Sequence, residues 1–247
     1  MIKTALKKIL SPSVRLAIKV SQRHLKDITT GTGSKLVNFS EDRKKQGLNL
    51  SPEIIISQPI YTTTFSENKI HNLKLAIQRI ENLIIQPGEI FSFWHLVGQP
   101  NQAQGYLIGR SLIENELQAN YGGGLCQLSG LLYFLAIKAG LKIMERASHS
   151  LDIYTNETRF APLGSDATVV YGYKDLRLEN SLDIPICFRV EVTSNQITGM
   201  LCAVAPIFEY KIEFLEQKVE DGVKVETLRF GKDGLSFEVI NRGFYQS

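Results

Sequence analysis

The clearest periodic segment of the chain runs over residues 66–84. Ile70, Leu73, Ile77, Ile80 and Ile84 recur at alternating spacings of three and four, which aligns them on one face of a helix. Ser66 stands where an N-cap is expected, and Gln86-Pro87-Gly88 stops the pattern. Two short alternating runs follow, Glu89–Phe93 and Tyr106–Ile113, with a loop over 98–105 between them. A second helix is expected from Cys126 to Lys138, entered through Gly122-Gly-Gly124 and ended by Gly140. Beyond it the period shortens to two. Strands are expected at 142–146, 168–173, 184–192 and 197–204, then a hairpin of 210–220 and 223–230 around Asp221-Gly222, a strong turn signal. A turn at Asp233-Gly234 leads to a last run, 235–240.

Residues 28–64 are polar, with a charge run at Glu41–Lys45 and prolines at 52 and 59. They are expected to be irregular, apart from one short strand at Ile54–Ile56. Helices first and antiparallel strands afterwards make the fold class α+β. The organisation predicted is a basic lead-in over 1–65, a core over 66–206 and a C-terminal β-hairpin extension over 207–247.

Composition adds little to this and excludes some classes. At 247 residues, 43% hydrophobic and 21% charged, the chain is an ordinary globular sequence. No apolar run reaches the length of a spanning helix. Charge distribution says more than the net +3. Seven of the 28 basic residues lie within the first 26 positions, where there is no acid, leaving 21 against 25 acids in the rest. No clean apolar signal core or cleavage site is visible there, so a cytoplasmic location is expected. Ile2, Leu6, Ile9 and Leu10 share a helical face, compatible with peripheral contact at the inner membrane surface. The competing reading is a helix docked on the body or a loose tail. Nothing in this balance points to nucleic acid.

The three cysteines, at 126, 187 and 202, form no CxxC. Reduced thiols are expected, with Cys187 and Cys202 buried in apolar strands. Cys126 differs. Three glycines precede it, and a helix opens beside it. A helix N-terminus carries unpaired N–H groups and partial positive charge. Both favour a thiolate and suit a developing oxyanion. A nucleophilic thiol also needs a base and a group that orients the base. His149 follows after one strand, and Asp166 stands before the next. Cys126, His149 and Asp166 are therefore the candidate nucleophile, base and orienter, in a layout reminiscent of transglutaminase-like and papain-like enzymes. Asp152 is a competing orienter.

Gly122, Gly123, Gly124, Gln127, Ser129, Arg110 and Tyr121 are candidate substrate contacts, with Arg159 a weaker one. Against this stands a bland alternative, in which Cys126 packs in the core and the glycines only make a turn. His95 beside Trp94 reads as a packed aromatic pair, and His24 and His71 have no partners in sequence. There is no zinc spacing, P-loop or dinucleotide fingerprint, so no metal or nucleotide cofactor is implied.

Several segments together carry a family resemblance. They are Asn72-Leu-Lys-Leu-Ala76, Pro87-Gly-Glu-Ile-Phe-Ser-Phe93, Tyr121-Gly-Gly-Gly-Leu-Cys-Gln-Leu-Ser129 with Leu132-Tyr133, Glu145-Arg146, His149-Ser150, Pro162-Leu-Gly-Ser-Asp-Ala-Thr168 and Asp175-Leu-Arg-Leu-Glu-Asn180. In order and spacing the chain resembles the VanW family over about residues 68–200. That family is named for an accessory protein of glycopeptide-resistance gene clusters. Many relatives look like Ser-Thr-Thr where this chain has Ser129-Gly130, so a hydroxyl is missing at 130. The resemblance implies cell-envelope or peptidoglycan biology, and with it a peptidoglycan-related peptide or small molecule as partner.

Two functional readings follow. One is a thiol hydrolase or transferase acting on an amide or ester bond. The other is a non-catalytic module in which the glycine turn and helix N-terminus hold an anion. A structural reading of the C-terminal hairpin, as an edge for partner docking, stands beside them.

Overall fold

The computed structural model describes residues 10–44, 48–113, 116–151 and 161–246. The α+β class holds, with four small sheets among the described residues and every named strand pair antiparallel. At the centre lies α4 (Leu125–Lys138), whose Leu128, Leu131, Leu132, Leu135, Ala136 and Ile137 are wholly buried. A helix apolar on all sides belongs inside a protein. Each of its leucines is worth roughly 1.5–3 kcal/mol of burial. One side of α4 meets the sheet of β1 (Ser51–Pro59), β8 (Gln196–Ala203) and β7 (Ile186–Val192), ordered β1-β8-β7. Gly199 of β8 makes this approach possible: a Cβ there would stand 2.9 Å from Leu131 and Leu135 side-chain carbons.

Helix α2 (Ser66–Ile80) packs on α4 and β7 through Leu73, Ala76, Ile77 and Ile80. It ends one turn earlier than the periodicity predicts. Glu81 is extended and Asn82 has a positive φ of 58°, so Ile84 leaves the helix and Ile85 bridges to Ile186. Phe65, not Ser66, holds the N-cap position, while the Ser66 hydroxyl accepts the Thr63 N–H at 2.6 Å. The polar stretch before it is better ordered than expected. β1 extends well beyond Ile54–Ile56, because Ser51–Pro59 pairs with β8 from end to end, apart from Glu53 at a register shift just after Pro52.

A second sheet orders β2 (Ile90–Ser92), β6 (Arg177–Glu179) and β5 (Lys142–Glu145), centred on a strand the alternation pattern did not reveal. The run after β2 turns into α3 (Phe93–Val97), capped by Ser92. β3 (Ile108–Ile113) pairs with β4 (Glu116–Tyr121), a polar strand also absent from the sequence reading. The strand expected over 168–173 is a tight turn instead: Gly172 has φ 78°, and the Tyr173 and Lys174 N–H groups both donate to the Val170 carbonyl.

The C-terminal region is a three-stranded meander, β9 (Ile212–Val219), β10 (Gly222–Phe230) and β11 (Phe237–Gln246), ordered β11-β10-β9. It is not a detached edge. Leu163, Val225 and Tyr245 form their own buried cluster, and the Gln246 N–H donates to the Ser150 carbonyl at 2.8 Å.

Helix α1 (Pro12–Thr29) is docked on the body by charge. Arg23 meets Glu145 at 2.6 Å, and Arg177 meets Asp27 at 2.6 Å. Leu16 and Val20 pack over Gly172, while Val14, Ile18, Leu25 and Ile28 are exposed. The Ile2, Leu6 and Ile9 part of the proposed membrane face lies outside the described residues. No helix among the described residues is long and apolar enough to cross a membrane. Cys187 and Cys202 are buried as expected and stand directly opposite each other across β7 and β8. The Cys202 hydrogen bond and burial push the Cys187 thiol up.

Candidate functional site

The three glycines before α4 are each fixed by contact. At Gly122 (φ 80°) a Cβ would lie 2.7 Å from Pro100 Cβ, and at Gly124 (φ 100°) it would lie 2.5 Å from Lys69 Cγ. At Gly123 a Cβ would meet the Gly109 carbonyl carbon at 2.4 Å, so two backbones touch where β3 crosses the turn. Asn72, fully buried on α2, ties this turn down. Its Nδ2 donates to the Leu107 carbonyl at 2.9 Å and to the Gly123 carbonyl at 3.1 Å, and its Oδ1 accepts the Leu107 N–H at 2.8 Å. The turn thereby presents Cys126 in the first turn of α4. The Leu125 and Gln127 N–H groups donate back to Gly122 and Gly124, whereas the Cys126 N–H has no backbone acceptor among the described residues.

The partners of Cys126 come from two loops. One follows β5 and carries Arg146 and His149. The other carries Asp166, and the Thr168 N–H donates to the Ala147 carbonyl at 2.7 Å, which joins the two. Asp166 Oδ2 accepts both the His149 backbone N–H and the His149 ring Nδ1, each at 2.7 Å. Its other oxygen, Oδ1, accepts from Arg146 Nη2 at 3.0 Å and from the Tyr245 hydroxyl. Arg146, 2% exposed, also donates through Nε to the Asp166 carbonyl at 2.7 Å and through Nη2 to Gly164 at 3.0 Å. With Nδ1 held by Asp166, the remaining ring nitrogen is the one left for Cys126.

The electrostatics agree with this geometry. Burial favours a neutral thiol, yet the hydrogen bond and charge of His149, with a backbone hydrogen bond at Val169, hold the Cys126 pKa below its ordinary value. Burial likewise opposes the imidazolium, but hydrogen bonds to Asp166 and Cys126 raise His149 to about 10. Asp166 is held well below the usual carboxylate range, against burial, by His149, Arg146 and Tyr245. These opposed shifts favour thiolate and imidazolium side by side.

The group sits in a cleft of about 830 Å³, a normal size for a small-ligand site. Gly122, Gly123, Gly124, Gln127, Arg110 and Tyr121 line it with the Cys126, His149 and Asp166 group. Gln127 donates through Nε2 to the Pro59 carbonyl at 3.0 Å, while its Oε1 is buried without a partner among the described residues. The Tyr121 hydroxyl donates to Gln102 Oε1 at 3.2 Å. Ser129 does not reach the cleft. It is fully buried, and its hydroxyl donates to the Ala167 carbonyl at 2.6 Å, fastening α4 to the Asp166 loop. The neighbouring Gly130 faces that loop, and a Cβ there would sit 3.5 Å from Asp166 Cα, an ordinary contact. Asp152 and Arg159 fall outside the described residues.

Two other histidines are engaged elsewhere: His95 Nε2 pairs with Asn38 Oδ1 at 2.9 Å and His71 Nε2 with the Gly105 carbonyl at 2.8 Å. No cluster of three potential metal ligands occurs among the described residues. Sequence reasoning missed Lys69, Asn72, Arg146 and Tyr245 as parts of this site. Arg146 was visible beside Glu145 in a family segment. Tyr245 had no local signal, because it acts from a strand 79 residues beyond Asp166.

Comparison with known proteins places the chain. Over 139 residues it is 34% identical to the Vancomycin B-type resistance protein VanW of Enterococcus faecalis, covering 56% of this chain and 50% of that protein. Over 131 residues it is 34% identical to the uncharacterized protein YoaR of Bacillus subtilis, covering 53% of this chain and 42% of that protein. The chain thus spans about half the length, or less, of these relatives. No solved structure matches it. The profile of the VanW-like proteins matches residues 68–202, more than half of the chain and the whole of the Cys126–His149–Asp166 region, and the chain belongs to that family.

Proposed function

We propose that this protein is a thiol acyl-transfer enzyme, a hydrolase or transferase acting on an amide or ester bond of a peptidoglycan stem peptide or precursor. The observation that carries this reading is the Asp166–His149 bond of 2.7 Å, set beside a Cys126 whose thiol is held below its ordinary pKa by that same histidine. The substrate class is carried over from what the family resemblance implies; the Enterococcus faecalis relative is named a vancomycin resistance protein, which agrees with it.

The chemistry runs as two transfers. The Cys126 thiolate attacks the substrate carbonyl carbon, a C–S bond forms, and the carbonyl electron pair moves to oxygen. The Cys126 N–H, lacking another backbone acceptor among the described residues, serves in this reading as a donor to that oxyanion. The His149 imidazolium then gives its proton to the leaving amine or alcohol as the C–N or C–O bond breaks. A thioester remains. Water or an acceptor amine attacks the thioester carbonyl while neutral His149 takes the incoming proton; the C–S bond then breaks with its electron pair on sulfur, which restores thiolate and imidazolium. Asp166 keeps the ring in one orientation throughout.

The test is alkylation of the intact protein by iodoacetamide from pH 6 to 9, with the modified residue located by mass spectrometry. Cys126 should react well below the pH at which a free thiol does, and Cys126→Ala should abolish turnover of a stem-peptide substrate. A Cys126 that alkylates no faster than free N-acetylcysteine across that range would sink the enzyme reading. A Cys126→Ala protein that turns over substrate normally would do the same.

A further inference from the structure

We infer that Lys69 and Arg110 form a cationic subsite for a carboxylate carried by the molecule that Cys126 attacks. This rests on the thiol-enzyme reading and adds the charge of the substrate to it. The two side chains come from different elements, α2 and β3, and line the same cleft. The glycine turn runs between them. Gly124 lies against the Lys69 methylenes, with a notional Cβ 2.5 Å from Cγ, and Gly123 lies against the Arg110 backbone, with a notional Cβ 2.7 Å from its nitrogen. The turn that presents Cys126 is therefore flanked by a lysine on one side and an arginine on the other.

Neither cation has an ion pair or a side-chain hydrogen bond among the described residues. Six other arginines, Arg23, Arg43, Arg146, Arg177, Arg229 and Arg242, each meet a carboxylate. Among the described residues the acid that lines the cleft is Asp166, and both its oxygens are already taken, by His149 on one and by Arg146 and Tyr245 on the other. The cleft thus has cationic charge that its own acid does not neutralise.

Lys69 is the more telling of the two. Burial pulls its ammonium down to about 8, so near neutral pH the group is still largely charged and lacks a counter-ion among the described residues. A poorly solvated charge with no partner costs free energy, and an anionic ligand removes that cost. Arg110 is exposed at the rim, and its planar guanidinium suits a carboxylate in bidentate fashion. A carboxylate held there lies beside the glycine turn that presents Cys126, with the rest of the ligand free to extend along the cleft past Gln127 and Tyr121.

The experiment uses two reagents that differ in charge and consume the same thiolate. Cys126 of the full chain is alkylated in parallel by iodoacetate and by iodoacetamide at pH 7. The ratio of the two rates is then compared with the same ratio for free N-acetylcysteine. Taking this ratio cancels the protonation state of Cys126. The expected result is a preference for iodoacetate about tenfold above the free thiol, the order expected for one favourable charge pair in a partly solvated cleft. That preference should fall towards the free-thiol ratio in Lys69→Met and Arg110→Met, survive in Lys69→Arg, and shrink in added salt or excess acetate. Circular dichroism and thermal melts of each variant show whether the fold is kept. A wild-type ratio equal to that of the free thiol overturns the inference whatever the absolute rates. A wild-type preference unchanged in a folded Lys69→Met, Arg110→Met double variant overturns it as well. Slow reaction with both reagents counts instead against the thiol-enzyme reading, since the ratio is decided separately.

Discussion

At the scale of single residues the chain spends unusual resources on one carboxylate. Asp166 receives a ring nitrogen, a backbone N–H, a guanidinium and a phenol. Such saturation keeps the carboxylate ionised, and the ionised carboxylate keeps His149 charged beside the Cys126 thiol. Asp166→Asn removes the charge while keeping the shape. The expected outcome is a Cys126 alkylation profile displaced to higher pH, with turnover at neutral pH reduced about 10²-fold or more, the usual contribution of a positioned acid–base group. Tyr245→Phe deletes one bond to the same oxygen. It should displace the profile in the same direction by a smaller amount. An Asp166→Asn variant whose alkylation profile overlays the wild type would show that Asp166 does not act on the thiol.

At the scale of elements the site depends on close approach between segments that are distant in sequence. Gly123→Ala puts a methyl into the Gly109 backbone and must push β3 off the turn. Overpacking of this kind costs about 1–3 kcal/mol, so a lower melting temperature is expected together with slower Cys126 alkylation. Gly130→Ala meets Asp166 only at ordinary contact distance and should be mild. Comparing the two variants separates a rigid backbone contact from a merely small residue.

Helix α1 offers a second case. Arg177 joins Asp27 of α1 to Asp175 of the body. Arg177→Met leaves two buried carboxylates short of a partner, at a cost of about 2–4 kcal/mol after allowing for partial exposure. Hydrogen–deuterium exchange should then rise across residues 14–29 before it rises in α4. If exchange in α1 is unchanged, the helix is held by its apolar contacts with Gly172 and by Arg23, and not by the Arg177–Asp27 pair.

For the whole molecule the charge cluster sets a pH dependence of stability. His149 titrates at about 10 in the folded protein against its ordinary 6.5. The stability it contributes is therefore fully present below about pH 6.5 and is lost as pH rises towards 10. Asp166 acts at the other end, with a contribution present above the ordinary carboxylate value and lost as pH falls below it. Urea denaturation of wild type and His149→Gln should show the largest stability gap near pH 6 and a narrower gap at pH 9.5. A gap independent of pH would mean that the His149 charge makes no such contribution.

The C-terminal meander belongs at this scale too. Tyr245 and Gln246 hold the Asp166 and His149 loops, so a chain ending at Pro206 should fail to keep the low-pH reactivity of Cys126 even if its core stays folded. Preserved reactivity in that truncated chain would return the meander to the role of an independent docking edge.

Much of this was legible in one dimension. Leu73, Ile77 and Ile80 announce their helix because periodicity is a local property, and the glycines before Cys126 announce a turn because backbone freedom is local as well. The same holds for the candidate residues Cys126, His149 and Asp166, whose residue types and order suggested a nucleophile, a base and an orienter. Other elements were not legible. β4 and β6 are short and carry polar residues, so only their pairing partners make them strands. Ser66–Ile80 stops short of Ile84 because Ile85 is claimed by β7, a contact across about a hundred residues. Ser129 looked like a site polar and proved to be a buried tie, since which way a hydroxyl faces depends on what packs against the helix. Arg146 and Tyr245 became parts of the site only when the Asp166 loop closed between β5 and β11. The sequence by itself determined the two helices of the core, the turn that leads into Cys126, and the chemistry available in it. Tertiary structure alone decided which groups face Asp166 and which cations lack a partner, because hydrogen bonding, burial and charge compensation are properties of neighbours in space.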